Sequence, residues 1–104
     1  MSIKLSIIIP CYNAEPYIYE LLTHIQPQIT KEIEIILIDD GSKIPVKADY
    51  EWLKLIRQRN AGISKARNKG LEMAKGELIW FIDADDLIAD NAIETILDAL
   101  KHKE

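Results

Sequence analysis

Three apolar runs in this chain end abruptly in polar clusters. Ile7-Ile8-Ile9 runs into Pro10-Cys11-Tyr12-Asn13, Ile35-Ile36-Leu37-Ile38 into Asp39-Asp40-Gly41-Ser42, and Leu78-Ile79-Trp80-Phe81-Ile82 into Asp83-Ala84-Asp85-Asp86. Short uninterrupted apolar runs read as strands buried on both faces, as in a parallel sheet covered by helices. They predict strands over residues 5–9, 33–38 and 77–82, and residues 51–58 read as a further strand. Between them the period changes to that of a helix. Tyr17, Ile18, Leu21, Leu22 and Ile25 predict an amphipathic helix over residues 15–26, with Pro16 in its first turn and Pro27 near its end. Gly62 opens a second helix whose stripe is Ile63, Ala66, Gly70, Leu71 and Ala74, with Gly76 expected to close it. Asp90 is expected to cap a third, built on Ile93, Ile96, Leu97 and Leu100.

Strands alternating with helices mean βαβ units. The predicted fold is α/β and Rossmann-like, a mostly parallel sheet of about four strands with helices on both faces. That is about one mononucleotide-binding half of a doubly wound domain. Sheets of this kind carry ligands just past the carboxyl ends of their strands, so the three polar clusters belong to one edge and describe a site.

The bulk numbers narrow the chemistry. A chain of 104 residues with 48% hydrophobic and 29% charged residues has the composition of one ordinary globular domain. A net charge of −4 argues against nucleic acid, whose phosphates want a basic face. Cys11 is the single cysteine, so no internal disulfide forms. The apolar run near Met1 is too short for a signal peptide and is broken by Pro10. No stretch approaches the roughly 20 apolar residues that span a bilayer. A cytoplasmic setting is expected, with membrane association possible only through sequence outside this chain.

The acids carry the chemistry. In extended backbone, residues i and i+2 point the same way, so Asp83 and Asp85 can face one point. Mg²⁺ and Mn²⁺ prefer hard oxygen ligands and commonly take one or two carboxylates plus substrate phosphates. The plainer reading is a solvated acidic turn with Asp86 or Asp90 capping the next helix. Asp39 and Asp40 cannot both point into a dry site without repulsion, so they are expected to differ. One would face a ligand donor while the other serves backbone donors in the turn; an ordinary Asx-type turn is the alternative. Tyr12 can stack on a planar base or sit at the core edge with its hydroxyl in water. Arg67 lies on the stripe expected to face the sheet. It either snorkels or pairs with an acid or a ligand phosphate. Lys65, Lys69, His24 and His102 read as surface residues.

These blocks together resemble the family 2 glycosyltransferases of the GT-A fold. The resemblance runs from Ser6-Ile7-Ile8-Ile9-Pro10-Cys11-Tyr12-Asn13-Ala14-Glu15, through Ile36-Leu37-Ile38-Asp39-Asp40-Gly41-Ser42 and Asn60-Ala61-Gly62-Ile63-Ser64-Lys65-Ala66-Arg67-Asn68-Lys69-Gly70, to Asp83-Ala84-Asp85-Asp86. It implies a nucleotide-diphosphate sugar donor, most often a UDP sugar, and transfer with inversion to an acceptor that could be a glycan, a lipid-linked sugar or a protein. Pro10, Tyr12 and Glu15 would line the nucleoside pocket. The acid pair would contact the base, Asp40 in preference to Asp39. Asp83 would contact the ribose side, Asp85 would hold Mn²⁺ or Mg²⁺, and Arg67 would sit close to the diphosphate. The family's helix after Asp-Gly-Ser has no room here, because Lys43-Ile44-Pro45 intervenes and the stretch to Trp52 is short. The family's acceptor site and general base are expected beyond Glu104, which makes 1–104 the donor-binding part.

Other readings remain open at this point. A nucleotide-sugar-binding fragment without transfer activity would use the same residues. A haloacid-dehalogenase-like phosphohydrolase also places an Asp-x-Asp after an apolar strand, and a receiver-like signalling domain places an acid pair there. The first pattern normally lies near the N-terminus with a small hydroxyl residue following. The second starts near its acid pair, whereas this chain spends a strand and a helix first.

Overall fold

A computed structural model describes residues 2–102, so Met1 and the last acid, Glu104, lie outside it. Four strands, β1 Leu5–Cys11, β2 Ile33–Asp39, β3 Leu53–Arg57 and β4 Leu78–Phe81, form one sheet in the order β3-β2-β1-β4. Every pairing is parallel, as the βαβ pattern requires. Helices α1 Tyr17–Ile25 and α3 Ala92–Lys101 cover one face, where Ile7, Ile9, Ile18, Leu22, Ile93 and Leu97 share the main core. Helix α2 Ile63–Met73 covers the other, against Ile36 and Ile38 through Ala66. The α/β, Rossmann-like expectation holds.

The strands differ in what surrounds them. Every residue of β1 and β2 is buried. The apolar run of β4 predicted the same, but β4 is the outer strand of this sheet, with Leu78 39% and Phe81 37% exposed. The stripe of α2 is also shifted. Ile63 and Leu71 face outward, and contact with the sheet is made by the small residues Ala66 and Gly70. A Cβ on Gly70 would stand 2.4 Å from Ile8 Cγ2, so close helix–strand packing requires its absence. Gly76 does not close the helix, which ends at Ala74; it passes so close to β1 that a Cβ would lie 2.6 Å from the Ser6 amide nitrogen. No helix joins β2 to β3. Residues 44–50 cross as irregular chain, anchored by buried Val46. Among the described residues no helix is long and apolar enough to cross a membrane.

Candidate active site at the strand ends

Pro10 opens the site. Ile8 faces β4, since its carbonyl accepts from the Ile82 amide, and Cys11 faces β2, since its carbonyl accepts from the Asp40 amide. By alternation Pro10 is turned to the β4 side, where the ladder has already ended at Ile8↔Phe81. Its missing N–H therefore costs no ladder bond, and past this point β1 and the acidic loop are no longer paired. Between them lies a cavity of about 480 Å³ lined by Pro10, Tyr12, Asp40, Asn60, Asp83 and Asp85, among others. The three polar clusters do share one edge.

Both members of the acid pair are buried, and both serve backbone. Asp39 accepts from the Ser42 and Val46 amides, each at 3.0 Å, and from Arg57 Nη1 at 2.9 Å. Burial pushes its carboxyl up, but these bonds outweigh that and hold it below the usual carboxylate range. Asp39 shapes the β2–β3 crossing and does not line the cavity. Asp40 does line it, and it also organises the turn into α2. Its Oδ1 accepts from Gln58 Nε2 and the Ala61 amide at 2.9 Å, and its Oδ2 from the Gly62 amide at 3.0 Å. The expectation that only one acid of the pair would serve backbone donors is thus corrected. A carboxylate has about four lone-pair positions. Three are taken at good length, and Asn60 Nδ2 reaches the fourth only at 3.5 Å, so Asp40 keeps one weakly held position.

The β4 end is built differently. Asp83, Asp85 and Asp86 are exposed, and their carboxylate oxygens lie within 4.8 Å of one another. Three hard oxygen donors so close fit a small divalent cation with water or phosphate completing its shell. Asp86 adds a third donor to the expected pair; its Oδ2 also accepts from the Asp83 amide at 3.3 Å. The Arg67 guanidinium lies 3.7 Å from Asp83 Oδ1 and 5.7 Å from the centre of the Phe81 ring. Its Nε is buried with no hydrogen-bond partner. It has an acid for a partner, as one of its two readings anticipated, and is not among the residues lining the cavity.

Tyr12 is 53% exposed, free to present its ring to the cavity. Glu15 is exposed and lines a neighbouring hollow of about 300 Å³ with Ser42, Lys43 and Val46, apart from the other candidates. Sequence reasoning missed Tyr17 and, as a wall residue, Asn60; the turn signal of Asn60-Ala61-Gly62 ahead of a helix could have pointed to the latter. Gly62, at φ +98°, starts α2 at the cavity edge; Asp40 takes its amide, and no side chain is bonded to the first-turn amides that follow. Such a helix end favours an anion. Cys11 also lines the cavity, but burial and the neighbouring Asp39 push its thiol to about 11, so it is no nucleophile.

The family model for glycosyl transferase family 2 matches residues 6–104. The chain belongs to that family. The phosphohydrolase and receiver-like readings fall with this match. The chain is 35% identical to the glycosyltransferase GlyG of Streptococcus pneumoniae, covering all of this chain and 37% of GlyG. It is 34% identical to the cholesterol galactosyltransferase of Borreliella burgdorferi, covering 94% of this chain and 29% of that protein. Among solved structures, S. aureus TarS 1-349 in complex with UDP-GlcNAc superposes with a TM-score of 0.82 at 31% identity, covering 95% of this chain and 31% of that one. The mannosyltransferase PcManGT from Pyrobaculum calidifontis, in complex with GDP-Man and Mn²⁺, superposes with a TM-score of 0.73 at 25% identity, covering 97% and 32%. The chain thus spans about a third of the length of these relatives.

Proposed function

We propose that residues 1–104 are the donor-binding part of an inverting glycosyltransferase, taking a nucleotide-diphosphate sugar, in the first place a UDP sugar, together with Mn²⁺ or Mg²⁺. One observation carries this reading: a single cavity brings together a projecting aromatic ring, a buried carboxylate with one weakly held acceptor position, a helix start and an exposed acid cluster. Those are the separate needs of a base, a diphosphate and a cation. Pro10 and Tyr12 would hold the nucleobase, and Asp40 would accept from its N–H. Asp83 would meet the ribose side, with Asp85 on the cation and Asp86 beside it. Arg67 would temper the charge of Asp83 near the diphosphate. Glu15 and Asp39 have no direct part, because one lies in the next hollow and the other is saturated by its own loop. Solved structures of relatives in complex with UDP-GlcNAc, UDP and GDP-Man support the ligand class.

A bound divalent cation supplies charge stabilisation to the departing diphosphate. The chain's own residues orient the nucleotide and give that cation its oxygen ligands. The acceptor hydroxyl needs a general base on the opposite face of the sugar. We assign that base, and the acceptor-binding site, to residues beyond this third of the relatives' length, in a cytoplasmic protein. Calorimetry of UDP, GDP, ATP and NAD in the presence of Mn²⁺ tests the reading. UDP should bind at least about tenfold tighter than ATP or NAD, a difference of about 1.4 kcal/mol. Equal affinity for all four would contradict it. GDP equal to UDP would keep the donor class and overturn the choice of uridine.

A further inference from the structure

The acid cluster sits at the start of an irregular stretch, residues 82–91, which runs from β4 to α3 without secondary structure. Its near end is fixed, because the Ile82 amide donates to Ile8 and the side chains of Ile82 and Ala84 are buried. At its far end Ile88 is buried, but the helix that follows lacks the cap expected of it. Asp90 instead pairs with His24 at 3.0 Å, and the residue at the cap position, Asn91, makes no side-chain bond to the first turn.

That role falls to a residue about 65 positions away in sequence, Gln28 of the short 3-10 helix Gln26–Gln28 that follows α1. Its Oε1 accepts from the Ile93 amide at 3.1 Å, a first-turn donor of α3. Its Nε2 donates to the Ala89 carbonyl and to the His24 carbonyl, both at 3.2 Å. The orientation of the amide is determined, since a backbone N–H can only donate and the two carbonyls can only accept. One half-buried side chain thus joins the end of α1, the acidic stretch and the start of α3. A Glu would keep the acceptor but turn a carboxylate onto two carbonyls. An Ala would leave all three groups without this partner.

We propose that Gln28 is a positioning residue for the cation site: by clamping Ala89 and the first turn of α3 it holds residues 82–91 so that Asp83, Asp85 and Asp86 converge. The inference rests on the donor-binding reading above. Groups that orient ligating side chains typically change metal affinity by about 10- to 100-fold when removed. Gln28 acts on the ligands through the backbone of their loop, so the lower end applies.

The test compares the unaltered chain with Gln28→Ala and Gln28→Glu. Binding of Mn²⁺ in the presence of UDP is read from loss of the free-ion EPR signal. Uridine affinity without metal is read by calorimetry, and amide hydrogen exchange by NMR. Gln28→Ala should weaken Mn²⁺ binding about tenfold while uridine affinity stays within about twofold, because the nucleoside wall of β1 and β2 does not touch Gln28. Exchange should accelerate at Ile93 and across residues 83–91 while β1 and β2 amides keep their protection. Gln28→Glu, which keeps the Ile93 acceptor, should fall between the two chains. Unchanged Mn²⁺ affinity in Gln28→Ala overturns the proposal, and so does a parallel loss of Mn²⁺ and uridine binding, the mark of a general structural defect. An unaltered chain that takes up no Mn²⁺ with UDP overturns the donor-site reading instead. The exchange data then decide the clamp alone, and unaccelerated exchange at Ile93 overturns that too.

Discussion

The acids after β2 and the acids after β4 occupy equivalent places, each at the carboxyl end of a parallel strand, yet they have opposite surroundings. Asp39 and Asp40 are buried and hold six side-chain hydrogen bonds at 3.0 Å or shorter between them. Asp83, Asp85 and Asp86 are exposed, with one long ion pair to Arg67 and one long bond within their own turn. A buried carboxylate is tolerated only when its lone pairs are met, and the β2 acids meet theirs with the loops they build. The β4 acids remain hydrated and mutually repelling, a condition that a cation relieves. Position at a strand end is therefore shared, and function follows from how many donors the local chain brings.

The sharpest way to break this contrast is to remove Asp39. Asp39→Ala leaves Arg57 Nη1 and two amides without their acceptor, while Arg57 Nη2 keeps the Ser42 carbonyl. It should cost about 3 kcal/mol in urea unfolding, the lower end for a broken buried pair because Arg57 stays half in water. The pH dependence has the same origin. The folded-state carboxyl of Asp39 lies below its ordinary value, as does that of buried Glu34, where burial raises it but bonds from Ser6, Lys75 and Lys54 prevail. Their contribution is complete above the ordinary carboxylate range and is lost as pH falls below it. Asp39→Asn should flatten that acid limb, and an unchanged limb would deny Asp39 its structural role. Asp40→Ala should come next, at about 2 kcal/mol of stability, since three donors of the turn lose their acceptor. It should also weaken uridine by about 1.5–3 kcal/mol if the base donates to this carboxylate. Stability lost with uridine affinity intact would make Asp40 purely architectural. At the other end, Asp85→Asn should shift stability by no more than about 0.5 kcal/mol; a large loss would show the β4 acids to be structural as well.

Much of this was legible in the chain. The unbroken apolar runs of β1 and β2 marked central strands, and the switch to helical period located α1 and α3. The run of β4 read alike, but hydrophobicity reports the faces of a strand and not whether a neighbour pairs along its edge, so Leu78 and Phe81 proved half open. The stripe of α2 misled for a related reason. The helix touches the sheet through Ala66 and Gly70, whose small size permits the approach, while the larger Ile63 and Leu71 look outward. The acid clusters themselves stood out in sequence. Their division of labour did not, because it is set by donors 3 to 22 positions away in Asp39's and Asp40's loops. Gln28 was invisible for the same reason, since its partners Ala89 and Ile93 come near only in the folded chain.

The central claim is that the β4 acids await a cation which the β2 acids, buried among donors of their own loops, do not need. Titration of UDP by calorimetry into the unaltered chain and Asp85→Asn, each with Mn²⁺ and with EDTA, tests it most directly. The account predicts that Mn²⁺ tightens UDP binding to the unaltered chain, because a bare diphosphate is repelled by the acid cluster until a cation bridges them. It predicts that most of this gain is missing in Asp85→Asn, while affinity in EDTA is little changed. Equal UDP affinity of the unaltered chain with Mn²⁺ and with EDTA would contradict it.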